Sequence, residues 1–227
     1  MKGYTKNTLM CMILLFCFTF AVAGEGKDKK KAKTTVASQS GGKCFDESTR
    51  VINLGAGLGS GNYYSAYRNH GYIYKSSPAF SFSYEQPLAK NVGPGLLGLG
   101  VYLGYQTASS TYNYYWDKNG YKDYYYYRNR WNNFMVAARA AYHPDVLNFG
   151  KGEVYFGAMA GLRFQSYHYE TNNPDPNSDI YRLSSRSVFP TLSVFAGGRW
   201  YFTDNLGLFA ELGYGISYLT GGLSFKF

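Results

Sequence analysis

From Val51 to Phe227 this chain repeats every two residues, with apolar side chains at alternate positions and small or polar ones between them. In the first segment Ile52, Leu54, Ala56 and Leu58 share one face, and Asn53, Gly55, Gly57 and Gly59 share the other. The second sets Phe80, Phe82 and Tyr84 against Ala79, Ser81, Ser83 and Glu85. The third sets Leu97, Leu99, Val101, Leu103 and Tyr105 against Gly98, Gly100, Tyr102, Gly104 and Gln106. The same pattern recurs at Phe134–Tyr142, Val154–Phe164, Leu192–Tyr201, Leu206–Ile216 and Leu219–Phe227, which makes eight segments. Successive side chains of a strand point to opposite faces, whereas an amphipathic helix repeats near 3.6 residues, a period these segments lack. Most are roughly 9–11 residues long, the length of a tilted strand that crosses a bilayer. An even count lets an antiparallel sheet close with both termini on one side. The predicted fold is therefore all-β, a closed antiparallel eight-stranded transmembrane β-barrel.

The connectors carry a second signal, because long ones alternate with short ones. Ser60–Ser77, Ala108–Arg130 and Ser166–Ser187 are long and polar; Pro87–Gly95, Pro144–Gly152 and Thr203–Asn205 are short. The connector near Ser217 and Tyr218 departs from the rule by being short. Long loops outside the cell and short periplasmic turns are the habit of outer-membrane barrels. A soluble sandwich has no reason for this asymmetry.

The segment ahead of the alternation reads differently. Lys2 and Lys6 precede an apolar run from Leu9 to Val22, which closes on Ala21-Val22-Ala23. A basic start, a short apolar stretch and a small-x-small site make a secretory signal peptide, and the run is short of the roughly 20 residues of a spanning helix. The expected organisation is a signal peptide at 1–23, a flexible polar periplasmic segment at 24–48 and an outer-membrane β-barrel at 49–227. After export only Cys44 remains, so no internal disulfide framework is available, and its thiol is expected to be idle in an irregular segment. The formal charge of +9 is spread along the chain, which suits a negatively charged membrane surface better than nucleic acid. Twenty-five tyrosines and 27 glycines, with no second long apolar run, fit a barrel in which only alternate residues meet lipid.

The alternating strands, the closing run Gly222-Leu223-Ser224-Phe225-Lys226-Phe227 and the stretch Glu211-Leu212-Gly213-Tyr214-Gly215 resemble the small eight-stranded bacterial outer-membrane β-barrel family. The resemblance covers about Val51–Phe227. It implies residence in the bacterial outer membrane and insertion by the outer-membrane assembly machinery, with Phe225 and Phe227 as the insertion signal. Outer-membrane lipid and lipopolysaccharide are then the expected surroundings.

Three groups of residues are candidates for function. Glu85, Arg139, Arg163, Arg199, Glu211 and Lys226 fall on the inward parity and are expected to form a lumen charge network, with the two glutamates as acceptors. Eight strands enclose just enough room for side chains, so the network reads either as structural charge satisfaction or as a narrow ion path. Phe195, Phe209, Tyr102 and Met159 share the inward parity and favour a plugged lumen. The second long connector holds Tyr114, Tyr115, Trp116, Tyr124, Tyr125, Tyr126, Arg128 and Arg130, a surface-loop binding candidate, since tyrosine offers stiff amphipathic contact area. Asn119-Gly120 is a hairpin signal, so this connector is either a β-ribbon raised above the membrane to meet a surface ligand or an anchor in lipopolysaccharide. Tyr84, Tyr105, Trp131, Tyr142 and Trp200 are candidate residues for the aromatic girdles. Ser166, His168 and Glu170 share one face, but their i, i+2 spacing of roughly 7 Å is too long for a hydrogen-bonded triad. No catalytic residue, metal ligand set or cofactor motif is assigned. The leading reading is a non-enzymatic integral barrel with a structural or surface-interaction role; a small pore and a lipid A-modifying barrel enzyme are the alternatives.

Overall fold

A computed structural model describes residues 43–58, 71–91, 93–118, 121–173 and 184–227, with 89–91, 116–118 and 121–123 described in backbone only. The expected signal peptide, residues 24–42 with their lysine run, His70 and most of the first long connector, Asn119-Gly120 and the prolines at 174 and 176 lie outside the described residues, as does the side chain of Trp116.

Ten strands follow one another: β1 Val51–Leu58, β2 Tyr72–Ser76, β3 Ala79–Asn91, β4 Gly95–Lys118, β5 Tyr121–Pro144, β6 Asn148–Phe149, β7 Gly152–Thr171, β8 Ser185–Tyr201, β9 Leu206–Gly213 and β10 Leu219–Lys226. Eight of them form a closed antiparallel ring in the order β1, β3, β4, β5, β7, β8, β9, β10 and back to β1. At the seam Val51 lies opposite Lys226 and Leu58 opposite Leu219. Arg50 and Phe227 extend it by exchanging backbone hydrogen bonds in both directions, at 2.9 and 3.0 Å. β2 prolongs the line of β3 along β4, pairing Tyr72 with Tyr112 and Ser76 with Ala108, and the two-residue β6 folds back on the start of β7. Closure removes sheet edges, the condition for crossing lipid, which offers backbone groups no partners.

The period-two pattern sorts the two faces of the ring. Leu192 is 74 %, Leu212 64 % and Leu208 54 % exposed on the outside, with Leu54, Val101, Phe156 and Leu223 among the others. An apolar surface that continues around the molecule is untenable in water and is the lipid face of a barrel. Inside lie Tyr102, Met135, Ala137, Tyr155, Met159 and Phe195 as one buried cluster.

Two residues lie on the face opposite to the one expected. Trp131, expected in a girdle, is 6 % exposed and points inward with Ala108, Tyr74 and Tyr167 around it, because odd positions of β5 are the lumenal ones. Ile216, expected to face lipid, is buried with Tyr102 and Phe195. β9 ends at Gly213, whose N–H donates to the Tyr218 carbonyl at 2.9 Å, and the bends at 214–216 reset the alternation.

The second long connector is not a loop over most of its length. β4 and β5 pair without interruption from Gly95↔Pro144 to Lys118↔Tyr121. Each strand has 24 residues, more than twice the roughly 9–11 a bilayer crossing needs. β7 continues beside β5 as far as Thr171, opposite Tyr127. The result is a β-ribbon that runs far beyond the apolar belt.

The segment before β1 also differs from expectation. Lys43–Ser48 belongs to the polar stretch expected to be irregular and solvated, yet Cys44 is 1 % and Phe45 0 % exposed. One side chain explains this. Asn148 accepts hydrogen bonds from the Cys44 and Phe45 backbone N–H groups at 2.7 and 3.2 Å and donates to the Phe45 carbonyl at 2.6 Å. Asp46 then closes the turn by accepting from Ser48 and Thr49. Burial pushes the Cys44 thiol up to about 12, with the Glu153 carboxylate adding to the push. A thiolate-dependent reagent should therefore leave Cys44 untouched in the folded barrel and label it only after unfolding in urea, as read by mass after maleimide treatment. Rapid labelling of folded protein would contradict this burial.

Candidate functional site in the barrel lumen

The alternation that sends leucine and valine to the lipid sends charge to the interior. β3 contributes Glu85, β5 Arg139 and His143, β7 Glu153 and Tyr155, β8 Arg199 and β9 Glu211, and all seven are buried. The Arg139 guanidinium grips Glu211 with both terminal nitrogens, at 3.1 and 2.5 Å. Its Nε lies 3.8 Å from Glu85 Oε2. Arg199 spans two carboxylates, with Nη1 2.7 Å from Glu153 Oε1 and Nη2 2.6 Å from Glu85 Oε2. His143 completes the bridge between the same two glutamates, Nδ1 to Glu153 Oε2 and Nε2 to Glu85 Oε1, both 2.6 Å. Tyr155 donates its hydroxyl to Glu211 Oε1 at 2.7 Å.

With each ring nitrogen of His143 facing a carboxylate oxygen, both nitrogens act as donors in the imidazolium form. The cluster is then charge-neutral: three carboxylates face two guanidiniums and one imidazolium. Neutrality matters because an unpaired buried charge costs several kcal/mol. Aromatic rings close the gaps. The Arg139 guanidinium lies 3.8 Å from the Phe195 ring centroid, and the Arg199 guanidinium 4.3 Å from that of Tyr155, within the range of a cation–π contact. Phe45 lies flat on His143, centroids 3.9 Å apart and planes 13° apart, so the segment ahead of β1 covers the cluster at the end where the seam strands meet.

Glycine gives these side chains their room. A Cβ on Gly98 would collide with the Glu85 carboxylate, and one on Gly197 would lie 2.7 Å from both the Glu211 stem and the Tyr155 ring. Gly98→Ala is expected to displace Glu85 and cost about 1–3 kcal/mol, the usual penalty of overpacking. The urea midpoint of vesicle-inserted protein measures it, and an unchanged midpoint would contradict the fit. Above the cluster a cavity of about 20 Å³, lined by Tyr102, Met159, Phe195, Glu211, Ile216 and Thr220, has room for about one water.

Of the six residues expected in the lumen network, the structure brings together Glu85, Arg139, Arg199 and Glu211. Arg163 and Lys226 face inward but lie elsewhere. Arg163 is paired with Met135, four residues along β5 from Arg139, roughly 13 Å of strand, and one of its contacts is to the Gly215 carbonyl at 3.5 Å. Lys226 sits beside the end of the seam, where its ammonium lies 3.5 Å from the Cys44 carbonyl and 4.7 Å from the Tyr201 ring centroid. Three members were missed: His143, Glu153 and Tyr155. Their signal was present, since 143 has the parity of Arg139, and 153 and 155 that of Arg163. His143 and Glu153 were passed over because the two flanking segments were ended at Tyr142 and begun at Val154, one residue short of each.

The surface-loop candidates divide between two faces of the ribbon. Tyr114 and Tyr125, opposite one another, have the inward parity. On that face a row of tyrosines crosses four strands: Tyr72–Tyr112, Tyr112–Tyr127 and Tyr127–Tyr169 have centroids 5.1, 6.5 and 6.5 Å apart. Tyr115, Tyr124, Tyr126, Arg128 and Arg130 lie on the outward face, with Tyr115 and Tyr124 in contact at 5.3 Å. Glu170 is held by Arg128 and Arg130, at 3.6 and 3.3 Å, so its carboxylate serves the guanidiniums rather than His168, and the Ser166–His168–Glu170 alignment does not assemble a hydrolase site. Phe225 is half-buried and Phe227 exposed on the lipid face.

No protein-family model matches the chain, and no curated protein does. Among solved structures it is similar to the N-terminal β-barrel domain of Pseudomonas aeruginosa OprF, at 15 % identity and a TM-score of 0.39, over 80 % of this chain and 98 % of that one. It is also similar to Ail, the attachment invasion locus protein of Yersinia pestis, solved with the heparin analogue sucrose octasulfate, at 11 % identity and a TM-score of 0.35, over 79 % of this chain and 97 % of that one. By its own closed eight-stranded ring, apolar outer face and charged interior, the chain is a closed antiparallel β-barrel of the kind that spans a membrane.

Proposed function

We propose that this protein is a non-enzymatic, closed-lumen outer-membrane barrel whose task is to hold a tyrosine-rich β-ribbon above the cell surface as a binding platform. The observation that carries this reading is the length of β4 and β5. A membrane anchor needs less than half of their paired residues, and the surplus is a stiff sheet with tyrosines on both faces. Phe225 and Phe227 on the closing strand serve, in this reading, as the element the assembly machinery recognises. The buried cluster and the aromatic residues around it oppose the small-pore alternative, because they fill the lumen where an ion would have to pass.

The test replaces residues 109–130 with a two-residue turn and asks two things of the variant in whole cells. Heat-modifiable migration is expected to persist, because the shortened strands still span the bilayer, while attachment of the cells to host-cell and matrix surfaces is expected to fall to the level of a deletion strain. Undiminished attachment would sink the platform reading. Large, stable single-channel currents from the purified wild-type protein would restore the pore.

A further inference from the structure

The outward face changes character abruptly where the strands leave the apolar belt. Directly paired residues Phe80, Tyr105, Phe134, Phe164 and Val188 form an apolar and aromatic row across β3, β4, β5, β7 and β8. The next outward-facing positions are Ser77 and Thr107, whose backbones are joined at 2.9 Å, and then Asn132, Ser166 and Arg186. One step further come Lys75, Ser109, Arg130 and His168, again directly paired in sequence across β2, β4, β5 and β7. The step after that brings Ile73, Thr111, Arg128 and Glu170. On β5 and β8 the charged residues thus begin four and two positions beyond the last apolar one, roughly 7–14 Å of strand, which is headgroup depth.

This zone is basic. Lys75 and Arg186 are exposed, and Arg128 and Arg130 are half-exposed. Glu170 offsets one of the four cations and at the same time fixes the two guanidiniums on a common carboxylate. No other acidic side chain described on these rows faces the same way. Guanidinium groups match phosphate oxygens in a bidentate fork. We propose that Lys75, Arg128, Arg130 and Arg186 form a basic collar on the outward face, which binds the phosphate groups of a phosphorylated glycolipid in the outer leaflet. The inference rests on the outer-membrane reading and names the lipid that the barrel selects there.

The test inserts the full chain into phosphatidylcholine vesicles containing equal amounts of bis-phosphorylated and dephosphorylated lipid A, extracts it in mild detergent and weighs the retained lipid by mass spectrometry. Wild type is expected to retain the phosphorylated form about tenfold over the other, the factor one charge-assisted hydrogen bond supplies. Lys75→Gln with Arg186→Gln, which breaks no ion pair seen among the described residues, should reduce that ratio, and adding Arg128→Gln and Arg130→Gln should abolish it. Equal retention by wild type, or enrichment that survives the fourfold variant, would overturn the collar. So would loss of enrichment in modest inorganic phosphate, which would assign the site to free phosphate instead. Failure of the wild-type chain to insert, seen as full protease sensitivity, would overturn the membrane reading itself and the collar with it.

Discussion

Arg199→Met is expected to lower the stability of the inserted barrel by about 3–5 kcal/mol, the cost of removing one partner from a buried ion pair. The guanidinium spans Glu85 and Glu153 at 2.6 and 2.7 Å, and no other arginine reaches Glu153 among the described contacts. Without it, Glu153 keeps His143 alone among the described contacts, and Glu85 keeps His143 and the more distant Arg139 Nε at 3.8 Å. The urea midpoint in vesicles is the measurement. A second variant separates charge from packing: Arg199→Met combined with Glu85→Gln and Glu153→Gln removes the stranded charges and should recover most of the loss, since apolar or neutral replacements of buried ion groups are often tolerated. If the single variant is as stable as wild type, the cluster is not the closed electrostatic unit described above. If the triple variant is no better than the single, the cost lies in shape and not in charge.

Phe45→Ala should rank second, again with a cost of about 3–5 kcal/mol for deleting a buried aromatic ring. Phe45 is 0 % exposed and stacked on His143. Its removal opens a way for water to the His143–Glu85–Glu153 bridge and loosens the backbone bonds that Asn148 makes to residues 44 and 45. Two readouts should move together: the urea midpoint falls, and Cys44 becomes labelled in the folded protein. A lower midpoint with Cys44 still protected would mean that the segment stays docked through Asn148 alone.

How much of this was legible beforehand follows from what alternation encodes. It assigns each strand residue to a face, and so placed Glu85, Arg139, Arg199 and Glu211 inside. It does not encode depth along a strand, which depends on register, so Arg163 and Lys226 were grouped with charges they do not meet. It is also silent where a strand ends. The bend after Gly213 turned Ile216 inward, and His143 and Glu153 lay one residue beyond the segment ends read from the alternation. Cys44 and Phe45 have no period-two context at all; what holds them is Asn148, more than a hundred residues away. Trp131 was different, since its parity was readable and a preference for girdle positions overrode it. The β-ribbon expected of the tyrosine connector was legible in its hairpin signal; β4 and β5 do pair along it, and cross-strand aromatic contacts help sustain the ladder.

The closing seam has a consequence for how the molecule comes into being. β4 and β5 are neighbours in the chain and can zip as a local hairpin, whereas β1 and β10 join Val51 to Lys226. Long-range closure is entropically slow, so the hairpin should form early and the seam last. The arginines and glutamates meet only when the sheet has curled, since they come from strands spread around the ring. A slip of one residue at any junction turns a whole strand's polar set toward lipid. The observed register is therefore what brings the two arginines within reach of Glu85, Glu153 and Glu211, so closure of the ring and pairing of its buried charges are one event.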